Sequence, residues 1–402
     1  SDINTDNSVN NDNFSNNQIQ SIQQNNSYIP SAEVLNIPYN IFDSNEVMDT
    51  VDSNNVEFPN NIFLSWGRND SGTLFRSDEE TIDGVQSLKF FGNRNIISIS
   101  SNCYHSAAVT ATGELYLCGS NDEGQSNPNR DNNGQLQPFI PKPRIIESLG
   151  QHRVCFVSCG LYHTACVIAT GHAITFGGNE VGQLGHSPNQ ISQVAPKLVD
   201  FKWKGKGNIA HKVSCGDMYS LFLTTSGEIY SCGVGANTGH SNDTNLFHAE
   251  RIETLVGVNV VYIVAGSSHS FAIASTGELY GWGSSQSSQL GIGDDSNLHY
   301  QIPIKIPLPS NIGKVVGVSA GYSHSLIWVE KGSIYGCGSN KSGQVGLFLP
   351  KVSTFTEIPL SGACLMAACG SNHSIAVIQV NNNSKIYGWG SNIHGQITST
   401  ST

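Results

Sequence analysis

The chain has 402 residues with 42 Gly, only 13% charged and 8% aromatic residues, and a formal net charge of −11. No window approaches the roughly 18 apolar residues of a membrane-spanning helix, and one Gly in ten with so little charge points to many short strands joined by tight turns. Residues 1–67 hold nine acids and no Lys or Arg, so the rest of the chain is close to neutral, and this acidic tail lacks the basic footprint that displaces counterions from nucleic-acid phosphates.

Residues 1–61 contain sixteen Asn, with Gln and Ser runs between them. Such a stretch buries too little apolar surface to offset its chain entropy, so residues 1–30 are expected to form a disordered acidic tail ahead of one domain over 31–397. No charged segment followed by an apolar run opens the chain, and no signal peptide is expected.

From there the sequence repeats. An aromatic residue or Cys followed by an anchor Gly recurs seven times, at Gly67, Gly119, Gly177, Gly233, Gly283, Gly338 and Gly390, with spacings of 52, 58, 56, 50, 55 and 52 residues. A second signature, Gly-x-x-His-Ser/Thr, precedes it at His105, His163, Tyr219 (His replaced), His269, His324 and His373, and lies 14 residues before the anchor in five of the six copies. Between the two, apolar runs flank a turn such as Thr112-Gly113, which reads as a hairpin; after the anchor comes a polar turn such as Ser120 to Gln125. Each unit is a small antiparallel sheet of about 50 residues that cannot bury both faces alone, and radial packing around an axis buries them.

The first unit is degenerate. Asn61 to Leu64 fits the second hairpin strand, but Asp52 to Asn55 is only a decayed signature. Seven four-stranded blades are therefore expected, the last closing the ring by pairing with residues about 30–45. A six-bladed ring is the alternative.

The residues and spacings resemble the regulator of chromosome condensation repeat family, with Val181 to Gly185 and Ser342 to Gly346 matching its Gly-Gln-Leu-Gly turn closely. The resemblance covers residues from about 60 to 397 and implies an all-β, seven-bladed propeller. It also implies a protein-interaction role, with regulation or nucleotide exchange on a small Ran-like GTPase as the leading reading. A non-catalytic scaffold or adaptor is the alternative. No cofactor, metal, membrane or nucleic-acid partner is expected, nor covalent catalysis, and a monomer in the cytoplasm or nucleus fits.

Residues present in every copy serve the fold, which removes several attractive motifs. Gly317-Val318-Ser319-Ala320-Gly321 has the spacing of a hydrolase nucleophile elbow, but Val157-Ser158-Cys159-Gly160 stands in the same register, so it is a repeat strand. The histidines fall one per unit, without the short spacing of metal ligands, and read as hydrogen-bonded core residues. Cys118, Cys232 and Cys337 share one repeat position and Cys159, Cys215 and Cys369 another, so cysteine acts as a small buried apolar residue in a reducing, intracellular setting.

Residues that break the pattern are the site candidates. Asp217, with Met218 and Tyr219, puts the one acid found between a signature Gly and its His position. In the family, acids in this turn contact the GTPase; the other reading is an exposed turn acid capping backbone N–H groups. Arg130 and Asp131 lie in the longest inter-anchor interval, where the resemblance implies an inserted wedge. Lys202, Trp203, Lys204 and Lys206 form a basic, aromatic patch suited to an acidic partner or to a solvated blade edge.

Overall fold

The computed structural model describes residues 19–21, 63–69, 72–76, 82–88, 90–92, 94–128, 133–186, 192–202, 209–381 and 383–397. Among them there is no α-helix and none long and apolar enough to cross a membrane; the only helical pieces are 3-10 turns such as Glu147–Leu149.

A three-stranded sheet comes first, from β1 (Ile19–Ser21), β2 (Phe63–Gly67) and β3 (Ile82–Ser87). Five four-stranded antiparallel blades follow. They are β4–β7 (Ile96–Ser101, His105–Thr110, Leu115–Ser120, Phe139–Ile145), β8–β11 (Val154–Cys159, His163–Ile168, Ala173–Gly178, Ser192–Leu198) and β12–β15 (Ala210–Cys215, Tyr219–Thr224, Ile229–Gly233, Leu246–Arg251). Then come β16–β19 (Val260–Ala265, His269–Ala274, Leu279–Ser284, His299–Lys305) and β20–β23 (Val315–Ala320, His324–Val329, Ile334–Ser339, Lys351–Glu357). A sixth blade has three strands, β24–β26 (Ala363–Cys369, His373–Val380, Asn383–Gly390).

The core lies between blades. Val109, Leu117 and Ile146 of one blade pack on Val157, Cys166 and Phe176 of the next, and the same arrangement joins Phe222 to Val167 and Trp282 to Leu221. Burying both faces of each sheet this way is what a propeller achieves and an isolated blade cannot.

Two features of the repeat explain the geometry. Each anchor Gly has a positive φ, from +94° at Gly283 to +113° at Gly233, and all but Gly390 mark a register shift against the outer strand; at Gly119 an added Cβ would lie 2.3 Å from the Tyr104 carbonyl oxygen. The signature His is an inter-blade peg. His105, His163, His269 and His324 place Nε2 2.8, 2.9, 2.7 and 2.9 Å from Thr164, Ser220, Ser325 and Ser374 on the following blade. Each of those hydroxyls donates its proton to a carbonyl, of Gln125, Gln183, Gln289 or Gln344, so the imidazole carries its hydrogen on Nε2 and donates it to the hydroxyl.

The expected count of seven blades is corrected: among the described residues there are six blades with an inner strand and a signature position, not seven. The relay runs from His105 to Ser374 and stops, for His373 Nε2 has no hydrogen-bond partner among the described residues. Among the described residues the decayed first unit contributes only the sheet β1–β3, and Asp52 to Asn55 lie outside them. Closure by strand pairing is corrected as well. The strand joined to β2 is Ile19–Ser21, within the segment expected to be disordered, and nothing among the described residues pairs with β26 as a fourth strand. Residues 30–45 lie outside the described residues. The C-terminal segment instead packs sideways, with Gln396 against Gly67.

Candidate partner-binding face

The signature turns join the first and second strands of each blade, so all of them emerge at one end of the propeller. The loops between third and fourth strands leave from that same end, as Ser120 N–H bonding to the Tyr104 carbonyl shows. Consecutive turns are stitched together by their backbones: Leu161 N–H donates to Asp217 O (3.1 Å), Asp217 N–H to Ser267 O (3.1 Å), and Ser267 N–H to Gly321 O (3.2 Å).

Asp217 belongs to this stitching. Its carboxylate accepts a hydrogen bond from Ser267 Oγ of the next blade and another from Asn102, two blades back. Burial raises its pKa above the usual carboxylate value, and these two hydrogen bonds oppose the shift. The expected alternative, an exposed turn acid, is therefore corrected: the group is largely enclosed because the ring brings together three turns that are far apart in sequence. Met218 beside it is partly exposed. Tyr219 is fully buried and is corrected from partner contact to peg. Its hydroxyl reaches Ser270 Oγ (2.8 Å) and the His269 carbonyl (2.8 Å), doing with a longer side chain what histidine does elsewhere.

Sequence reasoning missed the tyrosines around this acid. Tyr104 and Tyr162 stack at 6.0 Å with an interplanar angle of 22°, and Tyr322 stands 48% exposed at the corresponding turn. Both stacked phenols have raised pKa values, first through burial and then through neighbours that include Asp217. Glu123 is also raised, by burial and then by Glu180 and Asp122, so acids crowd this end. Exposed Leu298, Phe348, Leu349 and Ile393 lie on third-strand loops there. The signal was available: the two residues between each signature Gly and His are the variable ones, and reading them for aromatics as well as acids finds Tyr104, Tyr162 and Tyr322.

Arg130 and Asp131 lie outside the described residues, between β6 and β7 in the sequence. Trp203, Lys204 and Lys206 also lie outside them. Lys202 is exposed, pairs with Glu250, and follows β11, whose Leu198 pairs with Ile174 beside the opposite turns. It therefore sits away from Asp217, at the other end of the molecule.

Ser319 of the elbow-like motif lies on β20 and accepts the Cys369 N–H at 2.9 Å. All ten cysteines are free and nine are buried, and burial pushes thiols such as Cys118 and Cys215 up to about 12. Among the described residues no group of three or more His, Cys, Asp or Glu is placed to hold a metal ion.

Comparison with known proteins agrees with this architecture. Ultraviolet-B receptor UVR8 of Arabidopsis thaliana is 30% identical over 84% of this chain and 74% of its own length. The secretion-regulating guanine nucleotide exchange factor of Mus musculus is 28% identical over 83% of this chain and 75% of its own. The E3 ubiquitin-protein ligase HERC2 of Homo sapiens is 30% identical over 70% of this chain, which spans only 6% of that protein. Among solved structures, yeast RCC1 (Prp20) bound to Kap60 superposes with a TM-score of 0.71 at 22% identity, covering 93% of this chain and 85% of that one. A family model described as the RCC1-like domain matches residues 62–402, and the chain belongs to that family.

Proposed function

We propose that this chain is a protein-interaction propeller that regulates a small GTPase of the Ran type, as a nucleotide exchange factor, through the end that carries Asp217. The observation that supports this reading most is the enclosed acid ringed by Tyr104, Tyr162 and Met218, at the turn position where family acids meet the GTPase. A relative of similar length is named as a guanine nucleotide exchange factor. Exchange needs no covalent chemistry. The propeller binds the nucleotide-free GTPase in preference to the loaded form, and an acid aimed at the phosphate loop and Mg²⁺ site weakens nucleotide retention. Arg130 and Asp131, between β6 and β7 in the sequence, are the proposed wedge.

In this reading a tail over residues 1–30, whose Ile19–Ser21 pairs with β2, precedes a single propeller over 31–397, and the protein works as an intracellular monomer without cofactor. The alternative, a scaffold, is favoured by one observation: in HERC2 a matching segment is a small part of a much longer protein. There the chain would dock a partner without releasing nucleotide.

The test is release of labelled GDP from a Ran-type GTPase. The chain should accelerate it, and Asp217→Ala should lower the rate at least about tenfold, equivalent to ~1.4 kcal/mol of lost stabilisation. Asp217→Asn keeps a group that can accept from Ser267 but removes the charge, so it should lose exchange while retaining the melting temperature. Wild-type exchange in both variants would leave Asp217 a structural residue, and binding without exchange by the wild type would establish the scaffold reading.

A further inference from the structure

Five of the six signatures open on glycine: Gly160, Gly216, Gly266, Gly321 and Gly370. At each of them a Cβ would lie 2.0–2.7 Å from the ring of the peg three residues on, so the position is kept empty for the peg. The first blade departs from this. Asn102 stands in the Gly position, yet the turn is the same. Asn102 N–H donates to the His105 carbonyl at 3.0 Å, as Gly160 N–H does to that of His163 at 2.8 Å, and His105 still reaches Thr164. A side chain is therefore carried where the fold asks for none.

The amide of that side chain is fully used. Oδ1 accepts the Cys103 N–H, and the two hydrogens of Nδ2 go to the Cys159 carbonyl of the next blade, at 3.4 Å, and to the Asp217 carboxylate of the blade after it. Leu161 N–H, two residues past Cys159, donates to Asp217 O at 3.1 Å, so the backbones join these turns in the same order. Asp217 is itself a departure from the repeat, the one acid in the six signature turns. The two exceptions thus meet each other. Ser267, the other partner of the acid, is not an exception, for Ser371 holds the same position two blades on. A carboxylate held by one hydroxyl can still swing about its own bonds, and a second donor from the other side of its blade fixes it.

We infer that Asn102 is a positioning residue for Asp217: its amide holds the carboxylate in the orientation in which the partner meets it, which is why the first blade keeps a side chain where five blades keep none. The function named here rests on the exchange reading of the face.

Asn102→Gly restores the residue of the other five blades, so it should melt like the wild type or higher. It should nevertheless slow release of labelled GDP from a Ran-type GTPase about fivefold or more, and in an Asp217→Ala background it should slow release no further. A second readout needs neither GTPase nor an Asn102 variant. In ¹⁵N-labelled wild type at pH 7.5, the assigned Asn102 side-chain amide should trade its hydrogens with solvent slowly, and Asp217→Ala should speed this about tenfold or more. GDP release by Asn102→Gly at the wild-type rate, or losses that multiply in the double variant, would overturn the inference. If the wild type itself releases no GDP, the exchange reading falls and the amide decides alone. An amide freed by Asp217→Ala upholds Asn102 as the residue that holds this acid for another partner, and an unchanged amide overturns it.

Discussion

Acidification should unfold this protein cooperatively with a midpoint near about pH 5, because the pegs that join its blades are histidines that must stay neutral. Burial holds His105, His163, His269 and His324 down to about 3 and His373 to about 4, against 6.5 in the unfolded chain. Above 6.5 both states are neutral at these positions and the pegs contribute fully. As pH falls through 6.5 toward the folded values, the unfolded chain takes up protons that the folded one refuses, and stability is lost. Each such group costs ~1.4 kcal/mol per pH unit in that window, so five together cost about 7 kcal/mol per unit, comparable with a whole domain's stability of about 5–15 kcal/mol.

Burial also holds His186 down to about 4, which adds a sixth such group, and it lowers His240 and His299 in the same direction. Two other groups do not blur this. Lys212, at about 7 when folded against 10.5 unfolded, is protonated in both states throughout the histidine window, and its cost is relieved only as pH rises from about 7 toward 10.5. Asp217 has a raised folded pKa, so acid relieves its burial cost, but it is one group against six. The check is denaturant unfolding at fixed ionic strength from pH 8 to 4.5. The slope of stability against pH below 6 should correspond to about six protons, and His163→Gln should remove about one of them. Stability that stays level down to pH 4.5 would show that the pegs do not carry the fold.

The second large effect concerns the Gly of the signature. Gly160 has ordinary backbone geometry, yet a Cβ there would lie 2.0 Å from Cε1 of His163 and 2.8 Å from the Gly216 carbonyl oxygen. The imidazole lies flat on the glycine, and the residue is small for the sake of the peg. Gly160→Ala should cost about 3 kcal/mol or more, as overpacking against an immovable ring does. Gly257→Ala is the comparison: its φ is +91° but nothing lies within 4 Å, so only backbone strain of about 1 kcal/mol is expected. The double variant Gly160→Ala/His163→Ala should be less unstable than the sum of its parts by about 1–3 kcal/mol, since the second change removes the ring that the first one strikes. Equal losses for Gly160→Ala and Gly257→Ala in urea melts, with additive doubles, would separate the Gly from the His.

These two effects also explain what could be read in advance. The propeller and its strand boundaries were legible because anchor Gly, signature Gly and His recur at fixed spacing, and each has a local cause repeated in every blade. The blade count was not, because a spacing of anchors counts third strands, whereas a blade also needs an inner strand and a peg, which the unit ending at Gly67 does not supply among the described residues. Strand β1 lies in an Asn-rich stretch with no alternating pattern, and only pairing with β2 reveals it. At the face, Asp217 stood out as a broken pattern, but its enclosure depends on Asn102 and Ser267, which ring geometry alone brings near it. Tyr219 broke the pattern too, and its large ring disguised a substitution that preserves the peg.

The central claim is that the end bearing the signature turns is the surface that meets a GTPase, and hydrogen–deuterium exchange on the complex with a nucleotide-free Ran-type GTPase tests it most directly. Protection should appear at residues 102–104, 160–162, 216–218 and 321–323, and along the loop between β6 and β7. The opposite turns at 111–114, 169–172, 225–228 and 275–278 should exchange as in the free protein. Protection confined to those opposite turns or to the segment around Lys202, or no footprint under conditions that saturate the GTPase, would contradict the account.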